Sequence, residues 1–473
     1  MAKSSKRILL AAAGAAGLAV VAAVGLAVHL VGTAKPRVAA MASEALGMDV
    51  AVAGGMDVSL RRGLHVALKD VHLRKCAVEV AAVQEVDVSV AILPLLHREV
   101  RIETLRLTAP QIEIERDSGG ARAVAGCPGT STISPSQLAN VVVSGGRIRY
   151  TDRPSGKVAE GVDCDAEIHE LHLAGDDAHT LLKNLSLTAK ATCRGVRAGD
   201  LAASEVAFTV AAKDGIVDLD PVSMRVLGGR GSGQIHADFT GTTPHYRLRC
   251  NLAQFRIEDF FKSLSVPNAG QGSLDFGATL SLSGTDPDQW LRTLAGEASL
   301  RGVDFRLAMG DIDQRFSRYE SSQNFNLVDV GAVFFLGPIG LGISKGLDFA
   351  RNLQGSAGDT NFQILVSKWQ VERGVAHAQD VAMATKKNRI ALKGGLDFVT
   401  GRFDDVTVAL VDAKGCAQVR QRVTGPFLAP VVEQPNVLKS LTGPARRLLG
   451  RVRTLLGHQC EPFYSGSVPP PTP

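Results

Sequence analysis

Apolar side chains recur at every second position through much of this chain. Leu64, Val66 and Leu68 form one such run; Val86, Val88, Val90 and Ile92 form a second; Ile112 and Ile114 form a third. Successive side chains of a strand point to opposite faces, so each run has one apolar and one polar face. Arg and Glu fill many of the alternate positions. The stretch from Met48 to Arg116 therefore predicts consecutive half-buried strands of one antiparallel sheet. No helical period interrupts it, so nothing local covers the apolar face. Residues 117–136 lose all periodicity and cluster Gly, Pro and Ser, which predicts a loop or hinge. Strands resume at Val141 and recur at 147–150, 168–173, 185–191, 206–210, 217–219 and 234–239. Tyr246, Leu248, Cys250 and Leu252 alternate, as do Leu274, Phe276, Ala278, Leu280 and Leu282. Further strands are expected at 362–366, 368–371, 390–392, 396–398 and 406–410. Two short helices interrupt the series. One covers 254–264 and stops before Pro267; the other covers 288–294, with Asp286 or Asp288 near its cap.

Four segments depart from the strand pattern. Residues 8–31 are a run of 24 positions without Asp, Glu, Lys or Arg, apolar but for His29, behind Lys3, Lys6 and Arg7. About 20 helical residues cross a hydrocarbon core, and the basic flank places the N-terminus in the cytoplasm. The expectation is an uncleaved transmembrane anchor; a cleaved signal peptide is the alternative, and either exports the remainder. Residues 34–46 predict a short helix stopped by Gly47. Residues 329–350 contain a charge-free core of 13 residues, Gly331 to Ile343, broken by Gly337-Pro338. Two readings stand: a buried helical hairpin, or a lid or plug carried by Phe334, Phe335, Leu336 and Ile339. Residues 436–457 take a helical period, with Leu448, Leu449, Val452, Leu455 and Leu456 on one face and Arg446, Arg447, Arg451 and Arg453 on the rest. That pattern fits a basic amphipathic helix on anionic lipid, or a helix packed on the last strands with solvated arginines. The Pro-rich end, 469–473, predicts disorder.

Composition narrows the function classes. The net charge is +5 over 473 residues, with four Tyr and two Trp, which argues against a nucleic-acid binder. The 49 glycines and few aromatics suit many short strands joined by turns. Seven cysteines fit an oxidising compartment and show neither CxxC nor a zinc spacing. A bridge between Cys416 and Cys460 would tie the tail to the sheet, with two unpaired thiols as the alternative; Cys164 with Cys193 is a second candidate pair. No catalytic or metal constellation converges. His169 and His172 lie three apart in a strand, which puts them on opposite faces by strict alternation. Asp163 with Asp165, and Asp218 with Asp220, share strand faces and read as solvated carboxylates before they read as a cation site. Residues 228–233 lack the Lys-Ser/Thr of a phosphate loop, and there is no GxSxG or HExxH. The expectation is a protein without enzymatic activity, cofactor or metal.

Several stretches are familiar together. Residues 47–52, the strand ending at Leu68, the strand 86–92, Leu93-Pro94-Leu95-Leu96, and 105–109 before Pro110-Gln111-Ile112 resemble the N-terminal module of the AsmA family. So do Gly337-Pro338-Ile339-Gly340, residues 388–394 and residues 460–468 in the last third, and the family has an anchor where 8–31 lies. The resemblance implies a mainly β fold: an N-terminal transmembrane helix, then a long curved antiparallel sheet forming a groove, with a few short helices and a C-terminal amphipathic helix. The expected domains are 1–33 (tip and anchor), 34–116 (N-terminal module), 117–136 (loop or hinge), 137–325 (central β region) and 326–473 (C-terminal region). It implies a periplasmic, inner-membrane-anchored protein whose partner is phospholipid, with possible envelope proteins as others. Candidate groove-lining residues are then Val86, Val88, Val90, Ile92, Ile112, Ile114, Leu248, Leu252, Phe276 and Leu280. The expected function is lipid binding or transfer in support of the outer membrane. The alternative is a scaffold for outer-membrane protein targeting and insertion. Sequence leaves open whether the apolar faces close on one another or hold acyl chains.

Overall fold

In the computed structural model the described residues are 49–60, 64–75, 78–91, 102–116, 133–153, 156–175, 178–264, 268–314, 358–427, 429–433, 436–437 and 460–471, with isolated positions 40, 43, 94, 316 and 334. The expected anchor 8–31, most of the expected helix 34–46, most of 329–350 and the expected helical segment after residue 437 lie outside them. The protein is mainly β, with few short helices. Among the described residues no helix is long and apolar enough to cross a membrane. The chain divides into two compact units, residues 1–226 with 231–246, and residues 227–230 with 247–473.

The first unit is built on β1 (Asp49–Val52), β2 (Met56–Leu60), β3 (Leu64–Lys75), β4 (Val78–Val90), β5 (Ile102–Thr108), β6 (Gln111–Arg116), β7 (Ile133–Asp152), β8 (Lys157–Gly175), β9 (Ser186–Ala198), β10 (Leu201–Lys213) and β11 (Ile216–Val226). The strand β12 (Gly229–Asp238) lies mostly in it. β1 and β2 pair with opposite ends of β3, and β3 pairs with β4. β5 and β6 in turn share β4 on one side and β7 on the other. From β7 to β11 each strand pairs antiparallel with the next. A helix that alternation does not announce, α1 (Ala178–Lys183), crosses between β8 and β9.

Two expectations change here. The sheet is mixed, not wholly antiparallel, because β7 runs parallel to both β5 and β6. A chain that leaves β6 and returns alongside it in the same direction needs a crossover; residues 117–132 supply its length. The strand also begins at Ile133, inside the segment expected to be a loop to residue 136.

The second unit holds β13 (His245–Arg256), which begins just before it, then α2 (Ile257–Ser263), β14 (Gly270–Gln271), β15 (Ser273–Ser283), α3 (Pro287–Thr293), β16 (Ala295–Leu307), β17 (Thr360–Glu372), β18 (Val375–Ala384), β19 (Arg389–Asp397), β20 (Arg402–Val411), β21 (Ala417–Pro426), β22 (Val431–Val432) and β23 (Asn436–Val437). β15 through β21 form an antiparallel succession, and β22 and β23 add two residues each to β21. The expected helix over 436–457 is corrected at its start, where Asn436 and Val437 extend the ladder of β21. α3 begins as its sequence dictates: Asp286 Oδ1 accepts from the Gln289 amide at 2.9 Å, and Pro287 follows the cap. α2 starts at Ile257 and not at 254, because Gln254 to Arg256 complete β13.

Bulges recur in both units and carry acidic residues in left-handed backbone. Glu170 (φ 53°), Glu205 (φ 51°) and Asp405 (φ 49°) each sit where the pairing register slips. An extra residue twists the strand and reverses which face the following side chains reach. Ile168 is half-buried and packs on the apolar core, and Leu171, beyond the bulge, is buried in it. His169 and His172 therefore share the polar face, against the expectation from strict alternation.

Leu105, fully buried in β5, tests the core of the first unit. Leu105→Ala is expected to cost about 2–5 kcal/mol in urea unfolding. Val303→Ala, at a half-exposed site on β16, is expected to change stability by less than about 0.5 kcal/mol.

Candidate functional site

Paired residues in neighbouring strands project to the same face of a sheet. Following the register residue by residue through the first unit gives one unbroken apolar row. Val66 of β3 pairs with Val88 of β4, Val88 with Leu105 of β5, Leu105 with Val141 of β7, and Val141 with Ile168 of β8. Ile168 then pairs with Ala189 of β9, Ala189 with Val210 of β10, and Val210 with Leu219 of β11. A second row runs beside it through Leu68, Val86, Leu107, Val143, Ala166, Ala191 and Phe208. Seven steps at about 4.8 Å make the first row about 34 Å long.

Burial changes along this row. Val66, Val88 and Leu105 are 0 % exposed and Val141 is 5 % exposed. Ile168, Ala189, Val210 and Leu219 are only half-buried. The row is closed over β3 to β7 and half-open over β8 to β11. Polar residues hold the other face: Lys69 pairs with Asp57 at 3.2 Å, Arg153 with Glu115 at 2.6 Å, and His169 Nδ1 lies 2.7 Å from Asn140 Oδ1.

The lining candidates fall differently along this gradient. Val86, Val88 and Val90 lie in the buried cluster, Ile112 packs half-buried against it, and Ile114 is buried. Ile92 lies outside the described residues. In the second unit Leu252 is buried, while Leu248, Phe276 and Leu280 are half-buried. Of the lid candidates, Phe334 is fully buried and its carbonyl accepts from Ser367 Oγ at 2.9 Å, with Trp369 Nε1 donating to the same Oγ at 2.7 Å. Phe335, Leu336 and Ile339 lie outside the described residues, as do Arg446, Arg447, Arg451 and Arg453. Ala189, Val210 and Leu219 were not singled out from sequence. Their signal was present as alternation, but only the register joins them to Val88.

β18 to β20 are covered on both faces. Met383, Ile390, Leu392 and Val408 are buried on one. The other face is floored by small residues, Ala382, Ala384, Ala391 and Ala409, with Val411. Phe463, Tyr464 and Val468 of the tail pack into this trough. The tail is a strap with specific attachments. Phe463 and Tyr464 both donate their amides to the Gly415 carbonyl, at 2.8 and 3.1 Å. Tyr464 Oη donates to Asp380 Oδ1 at 2.6 Å, and Ser467 N to Asp380 Oδ2 at 3.1 Å. The Arg389 guanidinium, almost wholly buried, donates to the Val468, Asp412 and Ala413 carbonyls. Lys393 and Arg420 sit over the Phe463 ring at 5.3 and 5.4 Å from its centroid. Cys416 and Cys460 are disulfide-bonded, with Cα atoms 6.1 Å apart, and Cys164 is bonded to Cys193 across β8 and β9. Cys250 is a free, exposed thiol.

The model of the AsmA family matches residues 3–173 and 176–304. The chain belongs to the AsmA family. The stretches of the last third that resemble AsmA proteins lie beyond the matched residues. No curated protein and no solved structure matches this AsmA chain. Among the described residues no group of three or more His, Cys, Asp or Glu side chains converges on a metal position. What this AsmA chain presents instead is apolar surface in register, half-open in the first unit and strapped over in the second.

Two tests follow for the strap. Gly415 has φ 81°, and a Cβ there would collide with the Tyr464 carbonyl oxygen, so Gly415→Ala should release residues 460–468 to proteolysis while the Cys164–Cys193 region stays protected. The strap should also respond to pH in a defined direction. Burial pushes the Asp380 carboxyl up, but the hydrogen bonds from Ser467 and Tyr464 outweigh it and hold it below its ordinary 3.8. Burial and the bond to Asp380 push the Tyr464 hydroxyl well above its ordinary 10.0. The carboxylate's contribution is present above 3.8 and is lost as pH falls through the depressed value. The tyrosine's is present below 10.0 and is lost as pH rises towards the raised value. Protease protection of the strap should hold between these limits, and Asp380→Asn should flatten the acid limb and move the alkaline loss to lower pH, because part of the tyrosine's shift comes from Asp380.

Proposed function

We propose that this AsmA-family chain is a non-enzymatic phospholipid-binding protein of the cell envelope, held at the inner membrane by residues 8–31 with its bulk in the periplasm. Acyl chains would lie against the apolar row from Ile168 to Leu219 and headgroups would remain at its polar margin. One observation carries the reading: eight consecutive paired positions from Val66 to Leu219 are apolar, and the last four are left half-open. A sheet that only needed a core would close this row throughout. Hydrocarbon gains about 0.8 kcal/mol per buried CH₂, so a 16-carbon chain covering such a row gains on the order of 10 kcal/mol. The row provides no means of coupling to an energy source, so movement along it is passive exchange and direction comes from elsewhere. The AsmA family's association with the envelope supports the setting. By the same reading, Leu248, Phe276 and Leu280 are separate half-open, lipid-facing positions of the second unit.

Native mass spectrometry of the gently purified full chain tests this directly. Phospholipid is expected to co-purify, and Val210→Glu with Leu219→Glu is expected to reduce it about tenfold or more, since losing contacts worth ~1.4 kcal/mol is a tenfold change. Both substitutions fall at half-buried sites, so the variant should keep a cooperative melt. Unchanged lipid content in a folded variant overturns the assignment of the row. A co-purifying polypeptide without lipid favours a scaffold that pairs client strands through its sheet edges.

A further inference from the structure

The strap occupies a trough that is apolar, shallow and built for side chains other than its own floor. Four alanines hold the β18–β20 surface low, and three large side chains of residues 463–468 fill the space above them. Its polar contacts with the sheet lie at the margins of the trough: Gly415, Asp380 and Arg389. Its covalent fastening is the single bond from Cys460 to Cys416. Cys460 is exposed and Cys416 half-buried, whereas Cys164 of the other bridge is 9 % exposed and lies within the paired strands β8 and β9. Cys193 is half-buried, as Cys416 is, so the exposed Cys460 is what sets the first bridge apart as the more open to a soluble thiol.

We propose that the strap is a releasable cover, and that thiol–disulfide exchange at Cys416–Cys460 opens the alanine-floored trough to a hydrocarbon chain. The reductant is a dithiol. Its thiolate attacks the exposed Cys460 sulfur, the bond to Cys416 breaks, and Cys416 departs as a thiolate that takes a proton. The second thiol of the reductant resolves the mixed disulfide and frees Cys460. The protein gains two electrons and two protons, and the dithiol becomes a disulfide. Once cut, the strap is held by its noncovalent contacts alone, and its effective concentration over the trough falls. An acyl chain then competes for the space vacated by Phe463, Tyr464 and Val468. The trough belongs to the second unit and uses none of the row residues of the first, so the two readings fail separately.

The experiment uses the full chain carrying Val210→Glu and Leu219→Glu, so that the row contributes little binding. Dithiothreitol is raised in steps, free thiols are trapped with iodoacetamide and located by mass spectrometry, and binding of 11-(dansylamino)undecanoic acid is read by fluorescence. Cys416 and Cys460 are expected to label at about tenfold less dithiothreitol than Cys164 and Cys193, and probe binding is expected to rise with that first step. Cys416→Ser with Cys460→Ser should bind the probe without reductant. Tyr464→Phe, which keeps the bridge but removes the hydroxyl bonded to Asp380 and to the Val468 amide, should bind it to an intermediate level before reduction. Labelling of all four cysteines together, or of Cys164 and Cys193 first, overturns the proposal. So does a first step that leaves probe binding unchanged.

Discussion

Backbone pairing fixes which side chains share a face, and that constraint governs everything else in this molecule. Once Val66 is opposite Val88 and Val88 opposite Leu105, their side chains project together whatever the residues between them are. An apolar face made this way exposes hydrocarbon along its whole length unless something lies on it. Each part of the structure answers that demand in its own manner. Over β3 to β5 the face is a closed core. Over β8 to β11 it is left half-open. Over β18 to β20 a segment of the same chain is laid across it and fastened.

The strap shows how a weak apolar surface can be covered selectively. Alanines contribute little burial of their own, so on that face most of the apolar burial comes from what sits in the trough. Phe463 supplies the bulk, flanked by Lys393 and Arg420, while Asp380 and Arg389 position the backbone around it. Directional polar contacts choose the place and apolar contacts fill it. The half-open row lacks any such directional set along its floor, which suits an occupant recognised by chain chemistry and length over shape.

Much of this architecture could be read from residue order, because alternation reports directly on the two faces of a strand. Leu64 to Leu68, Val86 to Val90 and Leu274 to Leu282 all fall in strands, and Asp286 caps the helix that its position before Pro287 implies. Other features could not be read. The parallel placement of β7 against β5 and β6 is a matter of pairing between strands, and residues 117–132 between β6 and β7 carry no periodicity that would announce it. The bulge at Glu170 reverses parity, and an acidic residue mid-strand looks like any solvated position. Alanine alternation at 382, 384 and 391 gives too faint an apolar signal to announce the trough that residues 463–468 fill.

Residue order alone therefore determined the class of the fold and the existence of one apolar and one polar face per strand. These follow from local rules: period two, turn chemistry and charge. Tertiary structure decided which runs became neighbours, that Val66 and Leu219 belong to one row, and that residues 463–468 lie over the alanines of β18 to β20. Those outcomes depend on pairing register and on contacts between residues far apart in the chain. A strand's own sequence states which side is apolar but not what it will be laid against.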